Sequence, residues 1–320
     1  MTRPILATIL PLCSAVGYTF AALMLKRATQ RGVGPWRVTF IVNCSAAVVF
    51  APWWLTGGAP FNWYSFWHAV LCGATFFIGQ ILTFLALNKG DVSITTPVLG
   101  TKVILVAFMA VLFAGDKLTP ELWGAALLTT AATALLGGEI RTNRSRVLPS
   151  LIFGFSAALT YAAADVQQLN YAPAWGFGHF VPVMFATVGL LSLGLIPFFS
   201  EPLTKMPRRS VAWALGGGVL LSLQATGIAF SIVSYKEVTL TNILYNTRGI
   251  WSVILVWAAG TWFSNTESAV GNTIMGRRLL GAAIMLLAVF LGLRHLSLRL
   301  TPCPKNEGTS SPSWRHPTVR

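Results

Sequence analysis

Two stretches of the sequence repeat one another: residues 91–102 read DVSITTPVLGTK, and residues 237–248 read EVTLTNILYNTR. They align without a gap, from an acidic residue, through alternating apolar and hydroxyl side chains, to a Thr that is followed by a cation. Those cations are Lys102 and Arg248. The repeat predicts two related halves of the chain, with the two basic residues at equivalent positions.

The similarity extends to other parts of the two halves. Leu122–Ala126 (LWGAA) matches Leu279–Ala283 (LLGAA), and the small residues Ser14-Ala15 recur as Ser156-Ala157. An insertion in the loop at 262–275 shifts the register of the later match. Three matches in the same order are hard to attribute to chance.

The composition is typical of a membrane protein. Hydrophobic residues make up 54% of the 320 residues and charged residues only 10%, too few to cover a surface that faces water. The net charge of +14 lies in short clusters between apolar runs rather than on one basic face, so no nucleic acid partner is expected. These values argue against a soluble enzyme and against a disordered chain.

A membrane-spanning helix needs about 20 mainly apolar residues. Ten segments meet this requirement: 5–25, 36–56, 66–88, 92–114, 119–138, 148–170, 178–199, 211–233, 238–260 and 279–295. The sequence therefore predicts an all-α membrane protein with ten transmembrane helices, five in 1–140 and five in 147–295. Because five is odd, the two repeats must lie inverted in the membrane. Residues 296–320 are polar and are predicted to form a disordered tail.

The segment Lys89–Gly138 has a family-like order of motifs. A small, polar helix start at Asp91–Pro97 is followed by an apolar helix, by the turn Gly115–Pro120 (GDKLTP) and by a Gly-Ala-Ala helix. This order resembles the EamA-like, ten-helix permeases of the drug/metabolite transporter superfamily, whose usual acidic turn residue corresponds to Asp116. The second half matches more loosely, with Gly260-Thr261 where the acidic turn would be.

The resemblance implies a helical bundle that moves a small metabolite by alternating access without ATP. The absence of a GxxxxGK[ST] phosphate-binding loop is consistent with that mechanism, and no cofactor is predicted. An intramembrane enzyme would need a nucleophile–base pair or a metal cluster, but the four histidines are scattered and no HExxH or GxSxG motif occurs. We therefore expect a transporter and not an enzyme.

Three ionisable residues fall well inside predicted spans: Lys102, Arg248 and Asp165. A charge at the bilayer centre costs about 2.5–3.5 kcal/mol, so such residues normally face a wet cavity or each other. The repeat predicts that Lys102 and Arg248 face one central cavity from opposite sides. They would bind a carboxylate or phosphate there, or one or both would pair with Asp165. A zwitterion would suit all three residues, with Asp165 binding its amine.

Further candidates for substrate binding follow from helical spacing and polarity. Thr95 and Thr241 each lie seven residues before a basic residue, and Tyr245 lies three before Arg248. Gln80 in the third span and Tyr18 in the first could also line the cavity. For these two, and for the weaker candidates Asn43, Tyr161 and Gln224, hydrogen bonding between helices is the alternative role.

The sequence thus predicts a multi-pass secondary-active transporter of the inner or plasma membrane, which carries a small organic anion or a zwitterion such as an amino acid. An exporter of drugs or other lipophilic compounds is the alternative. The expected partners are a small-molecule substrate and the lipid bilayer, and homodimerisation stays open. The loop cations favour termini outside the cell, whereas the family resemblance favours cytoplasmic termini.

Overall fold

The computed structural model describes residues 2–136, 144–259 and 272–300. In these ranges the chain forms twelve α-helices and no strand: α1 (Thr2–Gln30), α2 (Pro35–Phe50), α3 (Trp63–Lys89), α4 (Val92–Gly100), α5 (Lys102–Ala114), α6 (Pro120–Leu136), α7 (Arg144–Trp175), α8 (Phe177–Ser192), α9 (Arg208–Tyr235), α10 (Val238–Tyr245), α11 (Arg248–Ala259) and α12 (Asn272–Leu300). Short 3-10 turns follow α2 and α8 and precede α9.

Eight segments of the described residues are long and apolar enough to cross a membrane. The two other predicted spans, 119–138 and 238–260, correspond to α6, which has 17 residues, and to α10 and α11, which have 8 and 12. An all-helical membrane protein is thus confirmed, whereas the number of ten spans stays a prediction.

The end of the chain differs from the sequence-based prediction. The last span was expected at 279–295, but α12 begins at Asn272 and continues to Leu300, past the predicted start of the tail. Residues 296–300 contain neither Gly nor Pro, so the sequence gives no signal that ends the helix before position 301. Most of the predicted tail and most of the insertion at 262–275 lie outside the described residues.

Two predicted spans are each interrupted once, at equivalent positions. Helix α4 ends before Thr101, whose backbone N–H and hydroxyl both donate to the carbonyl of Val98, at 3.1 and 2.6 Å. Helix α10 ends before Asn246-Thr247, and Thr247 makes the same two bonds to Leu244, at 3.2 and 2.7 Å. A hydroxyl bonded to the carbonyl three residues earlier favours a tight, 3-10-like turn. Lys102 and Arg248 begin the helices that follow.

Packing between helices follows the repeat. Helix α1 packs on α9 as α7 packs on α3, α2 contacts α9 as α8 contacts α3, and the counterparts α2–α8 and α6–α12 contact each other. Glycines permit the close approach: a Cβ on Gly73 in α3 would lie 2.4 Å from the Met184 carbonyl oxygen in α8, and one on Gly218 in α9 would lie 2.9 Å from Ser45 Oγ in α2. The main helix contacts of one half thus have a counterpart in the other half.

The two halves also touch through their loops, at opposite ends of α2. Near its start, Arg37 donates to the Gly32 carbonyl at 2.9 Å and lies 3.6 Å from the Glu201 carboxylate in the α8–α9 loop. Beyond its end, Ala59 donates its N–H to the Trp175 carbonyl, and its own carbonyl lies 3.1 Å from His179 Nδ1. Arg37 and His179 are the third residues of α2 and α8. Each reaches the hairpin loop of the opposite half.

Candidate functional site

A cavity of about 350 Å³ lies between the two halves, at the level of the two helix interruptions. It is lined by residues of α1, α2, α3, α4, α5, α7, α8, α9, α10 and α11. The ionisable side chains that carry charge in its lining are Lys102, Asp165 and Arg248. Lys102 and Arg248 both line this central cavity, as the sequence repeat predicts.

The charge of Lys102 is compensated by an ion pair. Its Nζ lies 2.7 Å from Oδ2 of Asp165, which is in α7 and only 5% exposed. Asn242 Nδ2 in α10 donates to the same oxygen at 2.8 Å. The Lys102 ammonium also lies 5.9 Å from the ring centroid of Tyr161. One carboxylate oxygen therefore joins α5 and α10 to α7.

Arg248 has a different environment. Its guanidinium carbon lies 4.6 Å from the ring centroids of both Tyr18 and Tyr245, and these rings are nearly perpendicular to each other, at 82°. Within the described ranges, Arg248 has no carboxylate partner. Aromatic faces attract a cation by about 0.5–2 kcal/mol, but they do not cancel its charge. The pocket around Arg248 therefore keeps one uncompensated positive charge.

Amide groups form part of the cavity wall. Asn43 and Gln80 exchange two hydrogen bonds of 3.0 Å between α2 and α3, which holds both amides in place. Gln168 and Gln224 donate their side-chain N–H groups to carbonyls of their own helices. Their Oε1 atoms are buried and have no hydrogen-bond partner among the described residues. These two acceptors are available to a donor group of a ligand after small side-chain movements.

Aromatic and aliphatic side chains form the rest of the wall. Phe76 packs against Tyr161 and Phe185, with ring centroids 5.4 and 5.8 Å apart. Gly79 makes room for the Tyr161 ring, because a Cβ there would lie 3.0 Å from it. The Tyr161 hydroxyl is in turn 3.5 Å from the Thr83 hydroxyl, which donates to it.

Six of the eight predicted binding residues line this cavity: Lys102, Arg248, Tyr245, Asp165, Gln80 and Tyr18. Thr95 and Thr241 do not. The Thr95 hydroxyl donates to the Ala86 carbonyl, and the buried Thr241 hydroxyl has no partner among the described residues. A separation of seven residues places two side chains on the same face of a helix but about 10 Å apart along its axis. Thr95 and Thr241 therefore lie beyond the cavity.

Several lining residues carried little or no signal in the sequence. Phe76, Met184, Phe185 and Leu221 are apolar residues within apolar spans, so nothing distinguishes them from residues that face lipid. Thr83 is one hydroxyl residue among many. The weaker candidates Asn43, Tyr161 and Gln224 do line the cavity, and Asn43 and Tyr161 also make the interhelical hydrogen bonds expected of them.

Residues 5–138 match the model of the EamA-like transporter family. This match lies within the first half of the chain and supports membership of the drug/metabolite transporter superfamily. Together with the eight helices that are long and apolar enough to cross a membrane, it indicates a multi-pass membrane transporter of that type. A solved crystal structure has a similar fold, with a TM-score of 0.70 and 16% sequence identity over 89% of this chain and 97% of that chain. A comparison with curated proteins finds no match.

The described part of this EamA-like transporter offers no group of three or more His, Cys, Asp or Glu side chains that could hold a metal ion. The chemistry of the cavity is therefore described by its charges, amides and aromatic rings. An amphiphilic cavity with one unmatched cation can hold a small molecule that has an acidic group and an apolar part.

Proposed function

We propose that this EamA-like transporter carries a small organic anion, or a zwitterion such as an amino acid, across the inner or plasma membrane. Transport is secondary-active and proceeds by alternating access between two inverted five-helix repeats. The observation that carries the proposal is the uncompensated guanidinium of Arg248 in the central cavity. Lys102 does not supply the same charge, because Asp165 is 2.7 Å away.

The charge balance of the cavity favours an anionic group in the substrate. Lys102, Arg248 and Asp165 together leave one positive charge, which a carboxylate or a phosphate monoanion would neutralise. A guanidinium binds such groups through two parallel hydrogen bonds, which an ammonium cannot do. The ammonium of a zwitterion would find acceptors in Asp165 and in the unpartnered oxygens of Gln168 and Gln224.

The size and the walls of the cavity favour a small, partly apolar molecule. A volume of about 350 Å³ is at the lower end of the range of ligand pockets, 300–1,000 Å³. The rings of Phe76, Tyr161 and Phe185 provide a surface for a ring or an alkyl chain. A nucleotide or a large lipophilic drug would need the cavity to expand.

Three features support alternating access. The paired helix contacts and the two equivalent interruptions are what an inverted repeat would produce, and interrupted helices are typical of substrate sites in such transporters. The contacts of Arg37 with Glu201 and of His179 with Ala59 join the two halves at opposite ends of α2. Opening one end while the other stays closed would expose the cavity to each side in turn.

An exporter of neutral lipophilic compounds is a second candidate. The observation that favours it is the apolar wall contributed by α2, α8 and α9, which includes Val42, Met184, Leu221 and Ile228. In that case Arg248 and its tyrosines would hold helices together and would not contact the substrate.

The test is a binding measurement on the purified protein in detergent. Isothermal titration calorimetry with 3-phenylpropionate, phenylalanine, phenyl phosphate and neutral toluene would compare the wild type with Arg248→Gln. Exposed Arg31 lies outside the cavity lining, so Arg31→Gln is a matched control. We expect at least one acidic ligand to bind, with about 10- to 100-fold weaker binding to Arg248→Gln and no change in the control. Binding of toluene alone, equal in both variants, would favour the lipophilic exporter.

A transport measurement then tests the carrier mechanism. In proteoliposomes loaded with the ligand that binds, a carrier shows saturable uptake of labelled ligand that the internal ligand accelerates. A channel shows neither saturation nor acceleration, and an enzyme would consume the ligand.

A further inference from the structure

We propose that Asp165 is the proton-binding residue of this transporter, and that it takes up one proton when an anionic substrate binds to Lys102. The inference rests on the proposed function, since it requires an anion in the cavity. It assigns the coupling ion, and it assigns different roles to the two basic residues. Arg248 holds the anion in every state, and Lys102 changes partners.

The geometry of the Asp165 carboxylate makes its charge depend on Lys102. A single oxygen, Oδ2, accepts from both Lys102 Nζ at 2.7 Å and Asn242 Nδ2 at 2.8 Å. Lys102 is the only cation within salt-bridge distance of Asp165 in the described ranges. If Lys102 turns toward a substrate anion, the carboxylate keeps only the neutral amide of Asn242 as a donor.

Asp165 is more deeply buried than its partner. The Asp165 side chain is 7% exposed and the Lys102 side chain 21%, so the lysine is the more accessible member of the pair, and its side chain is longer and more flexible. A buried carboxylate without a cationic partner takes up a proton rather than stay charged. The exchange keeps the charge of the site constant. One negative charge enters with the substrate, and one is neutralised by a proton that moves from water to the carboxylate.

Other groups around Asp165 do not compete for this proton. The titratable or charged side chains that face it or the cavity are Lys102 from α5, Tyr161 from α7, Cys72 from α3, Tyr245 from α10, Arg248 from α11 and Tyr18 from α1. Tyrosine, cysteine, lysine and arginine ordinarily titrate above about pH 8. No histidine is among the residues that line the described cavity. Asp165 is the one carboxyl group among the described residues that line the cavity.

A zwitterion should behave differently from a plain anion. Its ammonium can take the place of Lys102 beside Asp165, and the carboxylate then keeps a cationic partner. Anion binding should therefore take up about one proton, so that Kd decreases by up to tenfold for each unit by which the pH falls. Binding of a matched zwitterion should take up none.

The experiment compares 3-phenylpropionate with phenylalanine, which differ by the α-ammonium group and suit the aromatic walls. Calorimetry of the full-length protein in two buffers with different ionisation enthalpies, from pH 6 to 8, gives the number of protons taken up. For the wild type we expect about one proton with 3-phenylpropionate and none with phenylalanine. Asp165→Asn should bind 3-phenylpropionate without proton uptake. Asp116→Asn, a matched change outside the cavity lining, should behave like the wild type.

A second variant covers the case in which Asp165→Asn does not fold. In Lys102→Met the carboxylate lacks its partner before the ligand arrives, so it is already protonated and 3-phenylpropionate should bind without further uptake. The proposal is overturned if the wild type binds 3-phenylpropionate without a proton, or if either variant still takes up one proton. If the wild type binds neither ligand, the proposed anion site is wrong, and the proposal of proton coupling through that site is wrong as well.

Discussion

Lys102 and Arg248 occupy equivalent positions in the two halves, yet their surroundings differ in one decisive respect. Lys102 forms an ion pair with Asp165, whereas Arg248 lies between Tyr18 and Tyr245 with no carboxylate partner in the described ranges. The difference arises on α1 and α7. When Ser14 is aligned with Ser156, the position of Asp165 in the first half is occupied by Leu23. Equivalent positions of the sequence repeat thus carry two cations in different surroundings.

The largest expected effect comes from removing the carboxylate. Asp165→Leu leaves Lys102 without a partner in a mostly buried site, so we expect the free energy of unfolding to fall by about 3–5 kcal/mol. The measurement is reversible unfolding in mixed detergent micelles, by circular dichroism. The double variant Lys102→Met/Asp165→Leu should recover most of the loss, because neither charge remains. A loss below about 1 kcal/mol in the single variant would contradict the ion pair.

Removing Arg248 should affect binding more than stability. Arg248→Gln removes no ion pair, and the loss of its two ring contacts is partly offset by the removal of a buried charge, so we expect the free energy of unfolding to change by less than about 2 kcal/mol. Binding of an acidic ligand should weaken by about 1.5–3 kcal/mol, the usual contribution of a hydrogen bond to a charged group. The same preparation serves both measurements. A loss of stability as large as that of Asp165→Leu would show that the two cations have the same structural role.

The aromatic partners of Arg248 should have a smaller effect. Tyr245→Leu removes one ring face from the guanidinium, and we expect a loss of about 0.5–2 kcal/mol in the affinity for an acidic ligand, since the guanidinium is then less well held. Tyr245→Phe is the control, because it keeps the ring. If leucine and phenylalanine weaken binding equally, the hydroxyl rather than the ring is what positions Arg248.

The smallest effect concerns the feature that the two halves share. Thr101→Val and Thr247→Val each remove a hydroxyl that donates to the carbonyl three residues earlier, at 2.6 and 2.7 Å. Each change should lower the free energy of unfolding by about 0.5–1.5 kcal/mol, and the two losses should be equal within error. Unfolding curves of the two variants check this. Unequal losses would mean that the two interruptions are not structurally equivalent.

Much of the fold and half of the site chemistry were predictable from the chain. The class of protein follows from runs of about 20 apolar residues, because the need to bury backbone polar groups in lipid acts on each run separately. The repeat made Lys102 and Arg248 equivalent, and their cost at membrane depth marked them as functional. Tyr18, Gln80 and Tyr245, which were candidates for their polarity and spacing, line the cavity.

The helix interruptions were not predicted, although both contain a Thr. The residues around Thr101 and Thr247 are compatible with a continuous helix, and the turn there depends on whether the hydroxyl donates to the preceding turn. Thr95 and Thr241 were predicted to bind substrate from helical periodicity, but they do not line the cavity. Periodicity predicts the face of a helix but not how far along its axis the cavity extends.

Composition, hydropathy and the internal repeat establish that the chain is a helical membrane protein with two matched basic residues, because these properties depend on residues that are near in sequence or that recur in it. The partner of each cation depends on contacts between distant helices. Asp165 lies beside Lys102 and not beside Arg248 because of how α7 packs against α5 and α10. This packing gives the site one neutral ion pair and one guanidinium without a carboxylate partner in the described ranges. No local pattern of residues specifies which cation is paired.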